Sequence, residues 1–289
     1  VPTNSISVRD REALRDLLDD PSSAVRRELL KAFESMGSLG ISVLSEFAES
    51  SNRMLSWHAR WYLAELKNAN PIEEFKDFIE SQNYELESGW LLISRVAYPD
   101  LDIGKILSEL DLIAARCKEL LIHPSSSREV CRIINRVLFH EFGFRGNIEN
   151  YANPDNSHLN RVIETRRGLP IALSMLYLLV GQRLGANLEP IGVPGHFMVG
   201  SFDEDLPFYI DAFERGRILS AEQMLERLED QNMQPELSIL APASIRETLS
   251  RACRNLARHY DNAGQLHMAN LYKNFVEDFE ETYRRSVQP

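Results

Sequence analysis

The stretch PIALSMLYLLVGQRL, which opens at Pro170 and ends before Gly185, limits the possible folds more than any other part of the chain. It is apolar on most sides rather than along one stripe. A proline opens it and Gly185 lies just past its end, the placements that suit a first helical turn and a C-terminal stop. A helix with no polar face is stable only when surrounded, so a central, buried helix is predicted. Its strongly apolar part, Ile171 to Gly181, is too short to span a bilayer. The pattern then changes. LEPIGV, HFMVGSF and PFYIDAF are short, β-branched and aromatic, with turn residues between them. They predict strands of an antiparallel sheet packed on the buried helix. Helices come first and strands later, which makes the fold class α+β.

The 289 residues suffice for about two packing units at roughly 150 residues each. Three regions differ in texture. In residues 1–82, Leu14, Leu17 and Leu18 share one helical face, and Val25, Leu29, Phe33 and Met36 another. The pattern returns about thirty residues on, with Leu44, Phe47 and Ala48, then Leu55, Ala59, Leu63 and Leu66. Asp20-Pro21-Ser22 and Ser50-Ser51-Asn52 supply the turns. This predicts a HEAT-like repeated helical hairpin, with core packing as the default role of Trp57 and Trp61. Residues 83–234 form the central region, and residues 235–289 are helical again. There Leu256, Ala257, Tyr260, Gly264 and Ala269 fall where a tetratricopeptide-like pair places its packing residues. The closing EDFEETYRRS reads as a solvated helix end.

A net charge of −11 counts against general nucleic-acid binding. No basic-then-apolar leader opens the sequence, and Cys117, Cys131 and Cys253 are too scattered for a metal site or a disulfide framework. A cytoplasmic location is therefore expected, with no cofactor and no metal. His58, His123, His140, His158, His259 and His267 show no zinc-like spacing either.

The chemistry-bearing block is Asn156–Val199 followed by Tyr209–Phe213. It sets His196 at the start of a strand after Val193-Pro194-Gly195, and Asp211 near the end of a later one. Adjacent antiparallel strands can pair the two, with the carboxylate holding one ring nitrogen and the other facing a cleft. The nucleophile that would complete the set belongs at the N-terminus of the buried helix, where the dipole lowers a thiol pKa. Plainer roles fit the same residues: a strand histidine bonded to a carbonyl, and an aspartate pinning a turn. Asn156 or Ser157 is expected to cap a helix ending at Arg166 and Arg167, with Gly168 as its stop. Ser174, one turn into the buried helix, is expected to bond its own helix backbone.

Asp155-Asn156-Ser157, Arg166-Arg167-Gly168-Leu169-Pro170-Ile171, Gln182-Arg183-Leu184-Gly185 and Pro194-Gly195-His196-Phe197, with Ile210-Asp211 as a weaker last element, resemble the SirB-one family. The resemblance covers roughly residues 95–285. It implies a transglutaminase-like, papain-like core with a tetratricopeptide-like tail. Such enzymes use Cys, His and Asp in that order. His196 and Asp211 match the last two, but Pro170 or Ile171 stands at the cysteine position, and neither can attack a carbonyl. None of the three cysteines falls on the motif.

The resemblance thus implies a non-catalytic scaffold or regulatory protein that binds a protein or peptide partner. His196 and Asp211 would be a relic dyad, with Asn156, Ser157, Arg167, Pro170, Ile171, Ser174 and Gly195 lining its cleft. The alternative is a hydrolase of amide or ester bonds in which His196 activates water and Asp211 orients it.

Overall fold

In a computed structural model of the chain, turn chemistry sets the first helices. Residues 8–18, 20, 22–66, 70–122, 124–230 and 236–287 are described; Pro21, His123 and the expected boundary at 234/235 lie outside them. Helix α1 spans Val8–Leu18, and the Ser22 hydroxyl accepts from Val25 N to start α2 (Ser23–Met36). Gly37 separates α2 from α3 (Ser38–Ala48), and the Asn52 side chain accepts from Met54 N and Leu55 N at the head of α4 (Arg53–Leu66). The four helices share a core in which Phe33, Leu44, Ala59 and Tyr62 are fully buried. Trp61 is half-buried and packs against this core as expected, whereas Trp57 is half-buried at its edge without belonging to the cluster. Tyr62 is the core aromatic of this helix, with Trp61 edge-on at 4.6 Å.

The chain divides into two compact units, Val1–Glu74 with Asp102–Ser108, and Phe75–Leu101 with Glu109–Pro289. The division falls inside two helices, α5 (Pro71–Glu80) and, further on, α7 (Ile103–Leu120).

The second unit contains α6 (Leu86–Ala97) and α8 (Ser127–Asn135), which opens on a capping box between Ser126 and Glu129 and runs into a π-helical turn, Arg136–Glu141. Strand β1 (Arg145–Gly146) pairs in parallel with β2 (Arg167–Gly168); between them lie a 3₁₀ turn, Pro154–Ser157, and α9 (Leu159–Thr165). Helix α10 runs Pro170–Arg183, and Pro170 through Gly181 are all buried. Strands β3 (Leu188–Ile191), β4 (Met198–Ser201), β5 (Phe208–Asp211) and β6 (Arg217–Ser220) form an antiparallel sheet in chain order. Helices α11 (Ala221–Asp230), α12 (Ile245–Asn262) and α13 (Leu266–Val287) complete the unit. This is the predicted α+β fold, with a buried helix against a small antiparallel sheet.

Several local expectations are corrected. The sheet has a fourth strand, β6, which is short and buries Leu219 but leaves Arg217 exposed, so its alternation is faint in sequence. Gly168 does not stop α9, because it is occupied in the β2 ladder. Arg166 stops the helix instead, in the left-handed region at φ 58°. Its guanidinium compensates by lying 4.7 Å from the Phe144 ring centre and pairing with Glu109 at 3.1 Å. Neither Asn156 nor Ser157 caps α9; both belong to the 3₁₀ turn, and His158 holds the cap position without a side-chain bond. The tail is not wholly solvated either, since Phe279 is buried against Phe75 and Tyr84.

Candidate functional site

The turn that carries His196 is fixed by its own sequence. His196 N donates to Val193 O at 3.2 Å, Pro194 takes the second position, and Gly195 the third at φ +70°. Pro then Gly at those places is the type II pattern, and an L side chain at position 195 would be strained. His196 therefore sits two residues before β4 rather than on it. One step beyond the Val199–Ile210 pair, the register brings the start of β4 level with Asp211, the last residue of β5. The imidazole and the carboxylate meet there, Nε2 to Oδ2 at 2.9 Å.

Asp211 is fully buried, and each of its oxygens is engaged twice. Oδ1 accepts from the backbone N–H groups of Phe213 and Glu214, both at 3.1 Å. Oδ2 accepts from His196 and from Arg227 Nη1 at 3.2 Å. Burial pushes this carboxyl pKa up. The His196 hydrogen bond and charge, the Glu214 N–H and the Arg227 guanidinium outweigh burial, and the net shift is downward. The group is an ionised anchor, since a buried carboxylate is tolerable only when so paired. It also orients the ring: Nε2–H donates to the carboxylate, and Nδ1 is turned away from it. Nδ1 has no hydrogen-bond partner among the described residues, and the side chain is 25% exposed.

A cleft of about 380 Å³ opens at this ring. It is lined by the turn with Met198, by Met224, Arg227, Leu228 and Asp230 of α11, and by Asp211 and Glu214. The His196 ring stands edge-on to Phe213, with centroids 6.2 Å apart. Phe213 leaves no room for a side chain at Gly146, where a Cβ would lie 2.5 Å from the ring. Behind the turn, Arg251 of α12 donates from Nη2 to the carbonyls of Val193 and His196, at 2.7 and 2.8 Å.

The sequence profile of the transglutaminase-like superfamily matches residues 104–254, more than half of the chain. The chain belongs to the transglutaminase-like superfamily. A UPF0162 protein of Xylella fastidiosa (strain 9a5c) is 34% identical over 197 residues, which is 65% of this chain and 69% of that protein. One from Vibrio cholerae is 26% identical over 60% of this chain and 72% of its own length. Human F-box only protein 21 is 27% identical over 68% of this chain, but that match is only 35% of the human protein. No solved structure matches.

Within this superfamily core, the residues singled out in the sequence separate into two groups. Gly195, His196 and Asp211 line the cleft. Asn156, Ser157, Arg167, Pro170, Ile171 and Ser174 are not among its described lining residues. Asn156 instead organises the loop before α9: its amide donates to Asn150 O and accepts from Asn147 Nδ2, and its carbonyl accepts from Leu169 N at the head of α10. Ser157 O accepts from the Trp90 indole at 2.8 Å. Arg167 lies in β2. Pro170 and Ile171 are the first two residues of α10 and are buried. Ser174 does not bond its own helix. Its hydroxyl donates to Phe197 O at 3.1 Å, which ties α10 to the residue after His196.

The three thiols are buried, and burial raises each pKa: Cys117 to about 12, Cys131 to about 11, and Cys253 higher still. Arg227, Glu214 and Arg251 were not legible as site residues. They are surface-type residues on helices or turns, and only the fold points them at Asp211 or at the His196 turn.

Proposed function

We propose that this transglutaminase-like chain is a non-catalytic scaffold of the SirB-one type that binds a protein or peptide partner in the His196 cleft. One observation carries the reading. The imidazole and carboxylate are held as a hydrolytic site would hold them, yet Pro170 and Ile171 begin the helix where a thiol is required. Every cysteine is buried and protonated at neutral pH. The unpartnered Nδ1 of His196, in a cleft that also presents Met198, Met224 and Leu228, suits a polar backbone group of an extended peptide. Unpaired cysteines fit a reducing cytoplasm. No helix among the described residues is long and apolar enough to cross a membrane.

The test is to pan a random peptide library against the chain and against Glu214→Trp, which crowds the cleft from an exposed position. A related set of peptides should be retained by the parent and lost by the variant. Absence of enrichment, or enrichment that the tryptophan leaves unchanged, would sink the reading.

The exposure of His196 and its orientation by Asp211 favour one second reading, a hydrolase in which the ring activates water. Turnover of peptide amides or aryl esters that disappears in His196→Ala would establish it in place of the scaffold.

A further inference from the structure

Helix α12 has a charged face of which, among the described residues, only Arg251 reaches the His196 turn. Glu247, Arg251, Arg254, Asn255 and Arg258 recur at helical spacing and so share one side of the helix. With Gly192 and Pro194 they line a separate cavity of about 500 Å³. Three guanidinium groups face one carboxylate there, on a chain whose net charge is −11. The carboxylate is partly neutralised already, because Glu247 pairs with Arg254. Arg258 is exposed and forms no ion pair among the described residues.

Arg251 is half-buried, with its Nη2 on two carbonyls and its guanidinium 5.4 Å from the Phe197 ring centre. A Cβ at Gly192 would approach Arg251 Nη1 to 3.1 Å, so the floor of the cavity is backbone. Burial, and then the like charge of Arg254, lower the Arg251 pKa. Cations crowded in this way on one wall are relieved by a bound anion, and the planar guanidinium fork matches a carboxylate.

We propose that Arg251, Arg254 and Arg258 form a carboxylate-binding cleft that takes acidic side chains of the peptide partner. The proposal rests on the peptide-binding reading and names the chemistry of the peptide. Pro194 lines both cavities, so a peptide seated beside His196 continues into the arginines. Arg251 holds the His196 carbonyl, so occupancy of this cleft is felt at the histidine ring. An acidic peptide is favoured over a nucleic acid because the surrounding negative charge repels a long polyanion more than a short segment.

The experiment is calorimetric titration of the full chain with hexaglutamate at low and at raised salt, with the His196 ring resonances followed in parallel. Binding should weaken as salt rises and should shift the His196 signals. Arg254→Gln/Arg258→Gln changes only exposed side chains and should lose at least tenfold in affinity. Arg254→Glu/Arg258→Glu should prefer hexalysine. Equal affinity in the glutamine variant, no binding of hexaglutamate, full competition by inorganic phosphate, or tighter binding of a short single-stranded DNA would each overturn the proposal. Library peptides that need the His196 cleft but lack acidic residues and ignore the glutamine variant would remove this proposal while leaving peptide binding intact. Hexaglutamate binding at the arginines with no library enrichment would leave the anion cleft standing and remove the His196-cleft reading.

Discussion

Acidification should destabilise the second unit through His158. This ring is fully buried, with Nε2 2.8 Å from the Tyr260 hydroxyl and Nδ1 without a partner among the described residues. The rings of Tyr98, Tyr260 and Tyr272 surround it, with centroids 5.2 to 6.1 Å away. Burial lowers its pKa from 6.5 to about 3; Asp155 works against that shift and Arg161 with it. The native state thus keeps the imidazole neutral while the unfolded chain protonates it. Below pH 6.5 the unfolded state binds the extra proton, so the stability this group permits is complete above 6.5 and lost as pH falls toward 3. At about pH 5 the loss is RT ln(1 + 10^1.5), about 2 kcal/mol. Trp90 is a local reporter, since its indole bonds the carbonyl of the residue before His158. Urea unfolding of a Trp57→Phe/Trp61→Phe background, followed by Trp90 fluorescence at about pH 7 and about pH 5, measures the change. His158→Phe in the same background subtracts other titrating groups, such as His259, whose pKa burial also lowers. The parent should lose about 2 kcal/mol more than the variant over that interval. An equal loss in both would refute the argument that a neutral, desolvated imidazole sits at this point.

Three further outcomes follow from the site. Asp211→Asn removes the charge that Arg227 and His196 share and should cost on the order of 2 kcal/mol in the same unfolding assay, whereas a change under about 0.5 kcal/mol would show the carboxylate to be dispensable. Gly146→Ala drives a methyl into Phe213 and should cost about 1–3 kcal/mol while moving the His196 ring resonances; a silent variant would mean that Phe213 does not hold the ring. Ellman's reagent should find no fast-reacting thiol in the native chain at neutral pH and all three cysteines in denaturant, and a single rapid thiol in the folded protein would contradict the loss of the nucleophile.

Apolar periodicity alone determined the helical hairpins of the first unit, the all-round burial of α10 and three of the four sheet strands, because burial on one face or on every face is written directly into residue spacing. The Pro194-Gly195 pair likewise determined the turn before His196, since both residues restrict the backbone locally. The tertiary structure decided what spacing does not encode. It showed that Arg166 rather than Gly168 ends α9, that Ser174 reaches Phe197, that Arg227 completes the Asp211 cluster, and that Arg251 holds the His196 turn from a helix more than fifty residues further on. Each of these depends on a partner distant in sequence. A polar side chain at a helix surface looks the same in the sequence whether it meets water or a buried carbonyl.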